Sequence, residues 1–516
     1  MLAILTFLCL LSIVLFLVFC LSKWKFDYWE KRGVPFIKPL PFFGNFKDYI
    51  LQKKFEGYIA QELCQAFPDA PYVGAFFGTE PMLLVQDPEL IKRVIAKDFY
   101  YFNGRAVSKY THKEPFTQSL FFTSGDQWKV MRQNLTPLFS SAKMKNMFYL
   151  IENSTTSLSE CLAKKTRKSS TIEVRSLMSR YTMDCIGSCA FGVNTNTLTH
   201  EDTSNPFFEM GNNIFETSRN RHLRVIGRLM WPAIFYGFGS KTFPTEISAF
   251  FKNLLLGVFE TRQYKQTARH DFVDLILNLK ENKYITGDSI HNLKTSEGKK
   301  IQLEANDDWL VGQCIGIFGA GFETSSTTLS FTLYELAKNQ EAQTRAMVEI
   351  DEYLNKHEGK ICYESISELP YLEACISEAL RLYPVLGVIS REVMEDYTFP
   401  TGLKLEKGLR VHIPAYHLHH NPDFFPEPEQ YRPERFLPEE KDNIKPYTLL
   451  SFGEGPRICI GMRFAKMQII PGLVTILKKY RVELAEDTPM RMELEPAAIA
   501  TKPQGEIHLK FIPRME

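Results

Sequence analysis

The sequence predicts a mainly α fold: a large helical body with a small β region, preceded by a single N-terminal transmembrane helix. Three observations predict it. Apolar residues recur at helical spacing along most of residues 46–516. Only three stretches read as β-rich: Tyr72–Gln86, Val388–Leu409 and Ile507–Ile512. Residues 2–22, LAILTFLCLLSIVLFLVFCLS, carry no charge over about the length that crosses a hydrocarbon core as a helix.

The opening segment, 1–22, lacks the charged start, shorter apolar centre and small-residue cleavage site of a removable signal. Lys23, Lys25, Lys31 and Arg32 follow at once. Positive residues stay cytoplasmic, so the body is expected on that side and Met1 on the other. Residues 23–45 read as a basic, proline-rich hinge. Pro35, Pro39 and Pro41 stiffen it into an extended connector expected to hold the body off the membrane. Residues 46–516 read as one domain, since no linker, repeat or low-complexity run divides them. Its helices are expected at Pro88–Ala96, Gly125–Phe139, Lys145–Lys164, Val174–Phe191, Pro244–His270, Asp307–Lys338, Glu341–Lys356, Pro370–Leu382 and Gly461–Tyr480.

Composition removes several functions. A net charge of +1 on 516 residues gives no electrostatic case for nucleic acid. The ten cysteines are scattered with no C-x-x-C pair, which argues against a disulfide scaffold and a structural zinc site. Aromatics at 13%, including 40 Phe, supply a core and an apolar cavity.

The chemistry concentrates in F-G-E-G-P-R-I-C-I-G, Phe452 to Gly461. It sets Cys459 in a glycine-rich loop just before an amphipathic helix. Glycines let the backbone approach something flat, and a thiolate at a helix N-terminus meets unpaired N–H groups. That suits a sulfur ligand to iron, and Arg457 is placed to meet a carboxylate on the same cofactor. The alternative is a buried cysteine packed as a small hydrophobe. Five fixed positions at roughly one in twenty each make a chance match on the order of one in ten thousand for such a chain.

This segment resembles the haem-binding loop of the cytochrome P450 superfamily, the haem-thiolate monooxygenases. The resemblance spans the chain: the hinge P-L-P-F-F-G-N, F-G-V-N at Phe191–Asn194 and the loop through Phe464 look like the animal microsomal branch that oxidises xenobiotics, with an insect-like character. It implies the P450-like fold, with 46–516 as the catalytic domain. It implies haem b with Cys459 as the axial metal ligand, within a loop bounded by Phe452, Gly453 and Gly461. In A-G-F-E-T-S, Ala320 to Ser325, the small residues bare one helix face; a close helix–helix seam is the alternative reading. In the family this motif lines the oxygen side, so Ala320 contacts the cofactor, Thr324 holds dioxygen and its protons, and Glu323 feeds the proton relay. Trp128 and Arg132, at i and i+4, together with Arg391 and Arg457, are the family's propionate contacts.

Glu378 and Arg381 in S-E-A-L-R, joined by Arg435, are assigned to folding and loop support. His417, His419 and His420 are read as solvent-facing or capping, not as a metal site. With no flavin domain or dinucleotide fingerprint evident, electrons are expected from NADPH through a separate NADPH–cytochrome reductase, with cytochrome b5 as an optional partner. Lys129, Arg132, Lys143, Lys145, Arg463 and Lys466 are candidates for its docking face. Phe116, Phe121, Phe122, Phe207, Phe208, Phe215, Phe318, Leu386, Val388 and Ile499 are expected to line a site for a lipophilic small molecule. The apolar run Trp231–Phe238 is expected to dip into the bilayer. The expected location is the endoplasmic reticulum membrane, single-pass, hence the microsome. The alternatives are a haem-thiolate isomerase or dehydratase needing no reductase, and a membrane-tethered ligand-binding protein without turnover.

Overall fold

The structure is a computed structural model that describes residues 2–514 apart from 106, 200–204 and 282. It is organised around one long helix, Asp307–Lys338. Asn306 starts this helix by accepting the Trp309 N–H at 2.9 Å. The central helix packs against Val174–Ile186, Thr245–Thr261, Pro370–Leu382 and Met462–Leu477. Gln468 fastens the last of these, its Nε2 donating to the Gly321 carbonyl at 2.8 Å and to Ser325 Oγ at 2.5 Å. A Cβ at Gly321 would lie 2.8 Å from Ile186 Cδ1, so this glycine serves the packing seam.

The β region is small. Strands β1 (Tyr72–Phe77), β2 (Glu80–Val85), β3 (Ile389–Glu392) and β4 (Arg410–Ile413) form one sheet in the order β1-β2-β4-β3. β2 and β4 run parallel; the other pairs are antiparallel. The predicted stretch Tyr72–Gln86 is thus a hairpin, turned at Gly78 with φ +62°. A second sheet joins Tyr480–Leu484, His508–Pro513 and Thr171–Glu173.

Several helix ends differ from expectation for local reasons. Val174–Phe191 is helical to Ile186, then widens into a π turn, Gly187–Phe191. The expected Pro244–His270 helix stops at Thr261, where Gln263 and Tyr264 take positive φ, and a new helix, Phe272–Glu281, begins. Tyr480 opens a strand instead of closing the preceding helix.

The hinge is not an extended spacer. Trp29 is fully buried, donates its Nε1–H to the Ala75 carbonyl at 3.0 Å, and lies where a Cβ on Gly74 would come within 2.5 Å. Val34 is buried beside it. Burying the indole against β1 overrides the stiffness of the prolines, so this segment is part of the body.

Residues Leu2–Phe26 form a continuous helix on which Ile4, Leu5, Leu8, Ile13, Phe16 and Leu17 are exposed. Among the described residues, no helix is long and apolar enough to cross a membrane.

Candidate active site

The loop around Cys459 is held by glycine geometry. Gly453 and Gly455 both have φ +71°. A Cβ at Gly455 would lie 2.0 Å from the Ile95 carbonyl oxygen, so the loop presses on the turn Arg93–Lys97 in a way only glycine allows. The Cys459 N–H donates to the Phe452 carbonyl at 2.9 Å, closing the loop, and Met462–Leu477 starts at Gly461. The Cys459 side chain is exposed, yet burial pushes its thiol up, which fits a side chain lining an internal cleft. The Gly461 N–H, Arg132 and Arg105 pull the other way. Burial outweighs these three contributions.

Four arginines cluster near this loop: Arg105, Arg132 and Arg391 act on Arg457, and Arg105 and Arg132 act on the sulfur. Arg457 is buried and donates to the carbonyls of Asn103 (2.7 Å from Nη2), Phe121 and Thr123. Its guanidinium lies 4.7 Å from the Trp128 ring centroid. Trp128 is 2% exposed and so acts as a platform for Arg457. Arg391 is 2% exposed. Burial pushes the Arg391 guanidinium down to about 10 and Arg105 down to about 9; Arg132 and Arg457 shift the same way. No described carboxylate faces any of the four, and the Nε atoms of Arg105 and Arg391 are buried without a partner. Burying like charges together is costly unless an anion joins them. A flat, dianionic group seated over the cysteine meets every part of that demand, and haem with its two propionates is such a group. Arg105 escaped the sequence reading; its signal was a lone cation after Gly104 that only the fold brings beside Arg457.

The central helix shows an accessible face in an otherwise buried element. Gly316, Ala320 and Thr324 share it at i, i+4 and i+8, and Ala320 is exposed although it sits mid-helix. Thr324 Oγ1 donates to the Ala320 carbonyl at 2.5 Å. Glu323 lies off this face. It is 1% exposed and pairs with Arg175 Nη2 at 2.5 Å.

Glu378, Arg381 and Arg435 form the expected network. Arg381 grips Glu378 through two bonds of 2.7 Å, Arg435 Nε donates to the same carboxylate at 3.3 Å, and Arg381 Nη1 reaches the His419 carbonyl at 2.8 Å. His419 Nε2 accepts the Leu450 N–H at 2.8 Å, so the network runs into the segment leading to Phe452. The three histidines are buried, not solvent-facing, because the helix carrying them packs beneath this network. They form no metal cluster among the described residues.

A comparison with known families decides the identity. The cytochrome P450 family model matches residues 34–511. The chain belongs to the cytochrome P450 family. It is 35% identical to cytochrome P450 6B2 of Helicoverpa armigera over 95% of each chain. It is 36% identical to cytochrome P450 6k1 of Blattella germanica over 95% of this chain and 93% of the relative, and 35% identical to cytochrome P450 6a2 of Drosophila melanogaster over 94% and 95%. This P450 is accordingly a monooxygenase of the haem-thiolate type, and these three relatives are insect proteins.

The phenylalanines expected to line a substrate site divide. Phe318 is fully buried and meets the rings of Phe191, Phe207, Phe251 and Phe322 at 4.9–5.8 Å between centroids. Phe207 and Phe116 are also buried, at 7% and 8% exposure. These three build a wall behind the lining. Phe121, Phe122, Phe208, Phe215, Leu386, Val388 and Ile499 keep accessible surface. Of the proposed docking cations, Lys145 pairs with Glu364 at 2.6 Å, Lys466 pairs with Glu373, and Arg132 turns inward beside Cys459. Lys143 and Arg463 stay exposed, and Lys129 is partly so.

Proposed function

We propose that this P450 is a membrane-anchored enzyme that inserts one oxygen atom from dioxygen into a lipophilic xenobiotic, such as a plant toxin or insecticide, with electrons from NADPH through a separate reductase. The carrying observation is the accessible Cys459 sulfur near four clustered arginines, Arg391 and Arg457 buried and Arg105 and Arg132 partly so, that have no carboxylate partner. In this reading Cys459 ligates the iron, and Arg105, Arg132, Arg391 and Arg457 take the propionates with Trp128 behind them. Phe452, Gly453, Gly461 and Ala320 let the backbone close on both faces. Bound haem with a thiolate ligand supplies dioxygen activation at the iron.

The protein's own residues then do three things. Ala320 leaves room on the helix face, while Gly316 lets Ser119 pack closely one turn before it. Thr324 presents a hydroxyl there, anchored to the Ala320 carbonyl, as a proton-bearing group. Glu323 stands behind it as a relay carboxylate, ion-paired to Arg175; when that pair opens it takes a proton from solvent and passes it on. An isomerase or dehydratase would have no use for this acid–alcohol pair.

The apolar run 2–22 supports an anchor in the endoplasmic reticulum membrane with the body on the cytoplasmic side, as do the exposed apolar side chains of that helix and the cations after it. Exposed Lys143 and Arg463, with Lys129, support a basic docking face for the reductase, with cytochrome b5 as an optional second partner.

The test is spectroscopic. Purified, haem-loaded protein is reduced under carbon monoxide. The red-shifted thiolate band is expected in the wild type and not in Cys459→Ala; the band surviving in the variant would overturn the assignment.

A further inference from the structure

A cleft of about 250 Å³ lies away from the candidate active site. Glu335, on its wall, follows Ala320 by about 22 Å along the central helix. Three tyrosines wall the cleft: Tyr58, Tyr383 and Tyr416. Leu382, Met492 and Leu494, all buried, form its apolar lining. The rings are fixed. Tyr58 and Tyr416 meet edge-on at 5.1 Å, Tyr416 stacks on His420 at 4.0 Å, and Tyr383 stacks on Phe331 at 4.0 Å.

Most polar groups here are satisfied. The buried Glu335 carboxylate accepts the Tyr383 hydroxyl at 2.7 Å and Lys338 Nζ at 2.9 Å. Tyr416 bonds the Tyr58 hydroxyl. Among the buried groups of the wall, His420 keeps an acceptor open. It is 5% exposed, and its Nδ1 bonds the Tyr416 carbonyl at 2.9 Å. That contact fixes the proton on Nδ1, because a carbonyl only accepts. Burial pushes the imidazolium down to about 3, so the ring is neutral. Nε2 is therefore an acceptor, and no described group donates to it. Lys338 and Arg491 balance Glu335 and Glu429 around the rim, so the site does not select a charged ligand.

We propose that this cleft is a second small-molecule site for a planar phenol, its ring against the tyrosine walls and its hydroxyl donating to His420 Nε2. The volume suits one or two fused rings: an engineered cavity of about 150 Å³ holds benzene. Aromatic walls favour a flat ring, and the neutral acceptor at His420 rewards a donor that an unsubstituted hydrocarbon lacks. The site is tied to the substrate side. The wall residue Leu494 bridges to Pro503, and between them runs Ile499; Thr501 N–H donates to the Val385 carbonyl at 2.9 Å. A phenol in the cleft thus orders the segment that carries Ile499.

The test uses the full-length, haem-loaded protein in detergent, with 1-naphthol as the probe. The haem side is first saturated with 1-phenylimidazole, followed by its absorption shift, which reports the proposed function independently. Equilibrium dialysis is then expected to retain one 1-naphthol per protein, bound about tenfold more tightly than naphthalene. Tyr58→Ala, at a half-buried wall, should weaken 1-naphthol about tenfold. His420→Phe, which keeps the stacked ring and removes the acceptor, should erase the preference over naphthalene. In both variants the phenylimidazole titration should stay as in the wild type. Loss of 1-naphthol binding once phenylimidazole saturates the protein, or wild-type affinity in both variants, would overturn the proposal.

Discussion

Arg391 makes the separate demands of folding and cofactor binding visible at a single residue. It is 2% exposed, it has an orphaned Nε, and burial holds its guanidinium down at about 10. Such a group burdens the chain without haem and serves it only when an anion arrives. Arg391→Met should therefore act with opposite signs. The apoprotein should gain about 1–3 kcal/mol in urea unfolding, the scale set by that shift. Haem should leave the variant faster, as read by transfer to apomyoglobin. Loss of stability in the apoprotein would show that the charge already has a partner in the fold. Cys459, Arg457 and Thr324 could be proposed from the sequence because each sits in a dense local motif. Arg105 was not, because its role depends on Arg391 and Arg457 arriving from segments hundreds of residues away. The burial of Phe318 was hidden for the same reason: the sequence marks it as apolar, and only the packing of Phe191, Phe207 and Phe251 shows that it faces other rings.

At the scale of elements, Pro370–Leu382 connects to the cysteine loop through charge and not through apolar packing alone. Glu378 and Arg381 are fully buried, and both depend on each other and on Arg435. Removing one partner of a buried pair costs about 3–5 kcal/mol. Glu378→Ala should leave Arg381 and Arg435 unpaired beneath the His419–Leu450 bond, so the loop loses its support. The expected outcome is a large drop in haem-loaded protein per chain expressed; normal haem content would show that the network is dispensable. The long elements were legible because their periodicity is strong: Asp307–Lys338 and Pro370–Leu382 were predicted end to end. Short helices such as Pro206–Ile214 and Arg219–Met230 were missed, since each offers few turns of pattern and leans on tertiary packing for its stability. The hinge was misjudged because its prolines suggest stiffness, while the decisive contact, Trp29 on Gly74, joins distant segments.

Two predictions belong to the whole molecule. The first concerns acid. Burial pushes His412, His419 and His420 down to about 3 and His417 to about 4. Below about pH 6.5 the unfolded chain takes up protons that the folded chain refuses, so stability is full above that value and falls as pH drops. Each histidine contributes up to about 1.4 kcal/mol per pH unit. Glu56, partly exposed and pushed up to about 7, works in the opposite sense, because the folded form holds its proton as pH falls. His222 shifts with these four, and Glu152 and Glu349 shift with Glu56, so the histidines still prevail and the apoprotein should lose roughly 5 kcal/mol in urea unfolding between pH 7 and pH 5; equal stability at both would refute the buried, neutral assignment. The second concerns the membrane. Beyond the N-terminal helix, the body itself presents apolar surface: Trp231, Ile234 and Phe238, on the short helix Pro232–Gly237 and at its two ends, are 42%, 56% and 84% exposed. Met230, just before them, packs on Gly78 at the tip of the β1–β2 hairpin, and Lys25 bonds Glu80 on β2 at 2.5 Å. The apolar patch and the exit of the N-terminal helix are therefore held on the same hairpin, where one bilayer surface can meet both. A chain lacking residues 2–22 should keep partial binding to phospholipid vesicles. Trp231→Ser with Phe235→Ser should reduce it severalfold in flotation assays, with the carbon monoxide spectrum unchanged. Undiminished vesicle binding in the double variant would remove this surface from the membrane contact and leave the anchor alone.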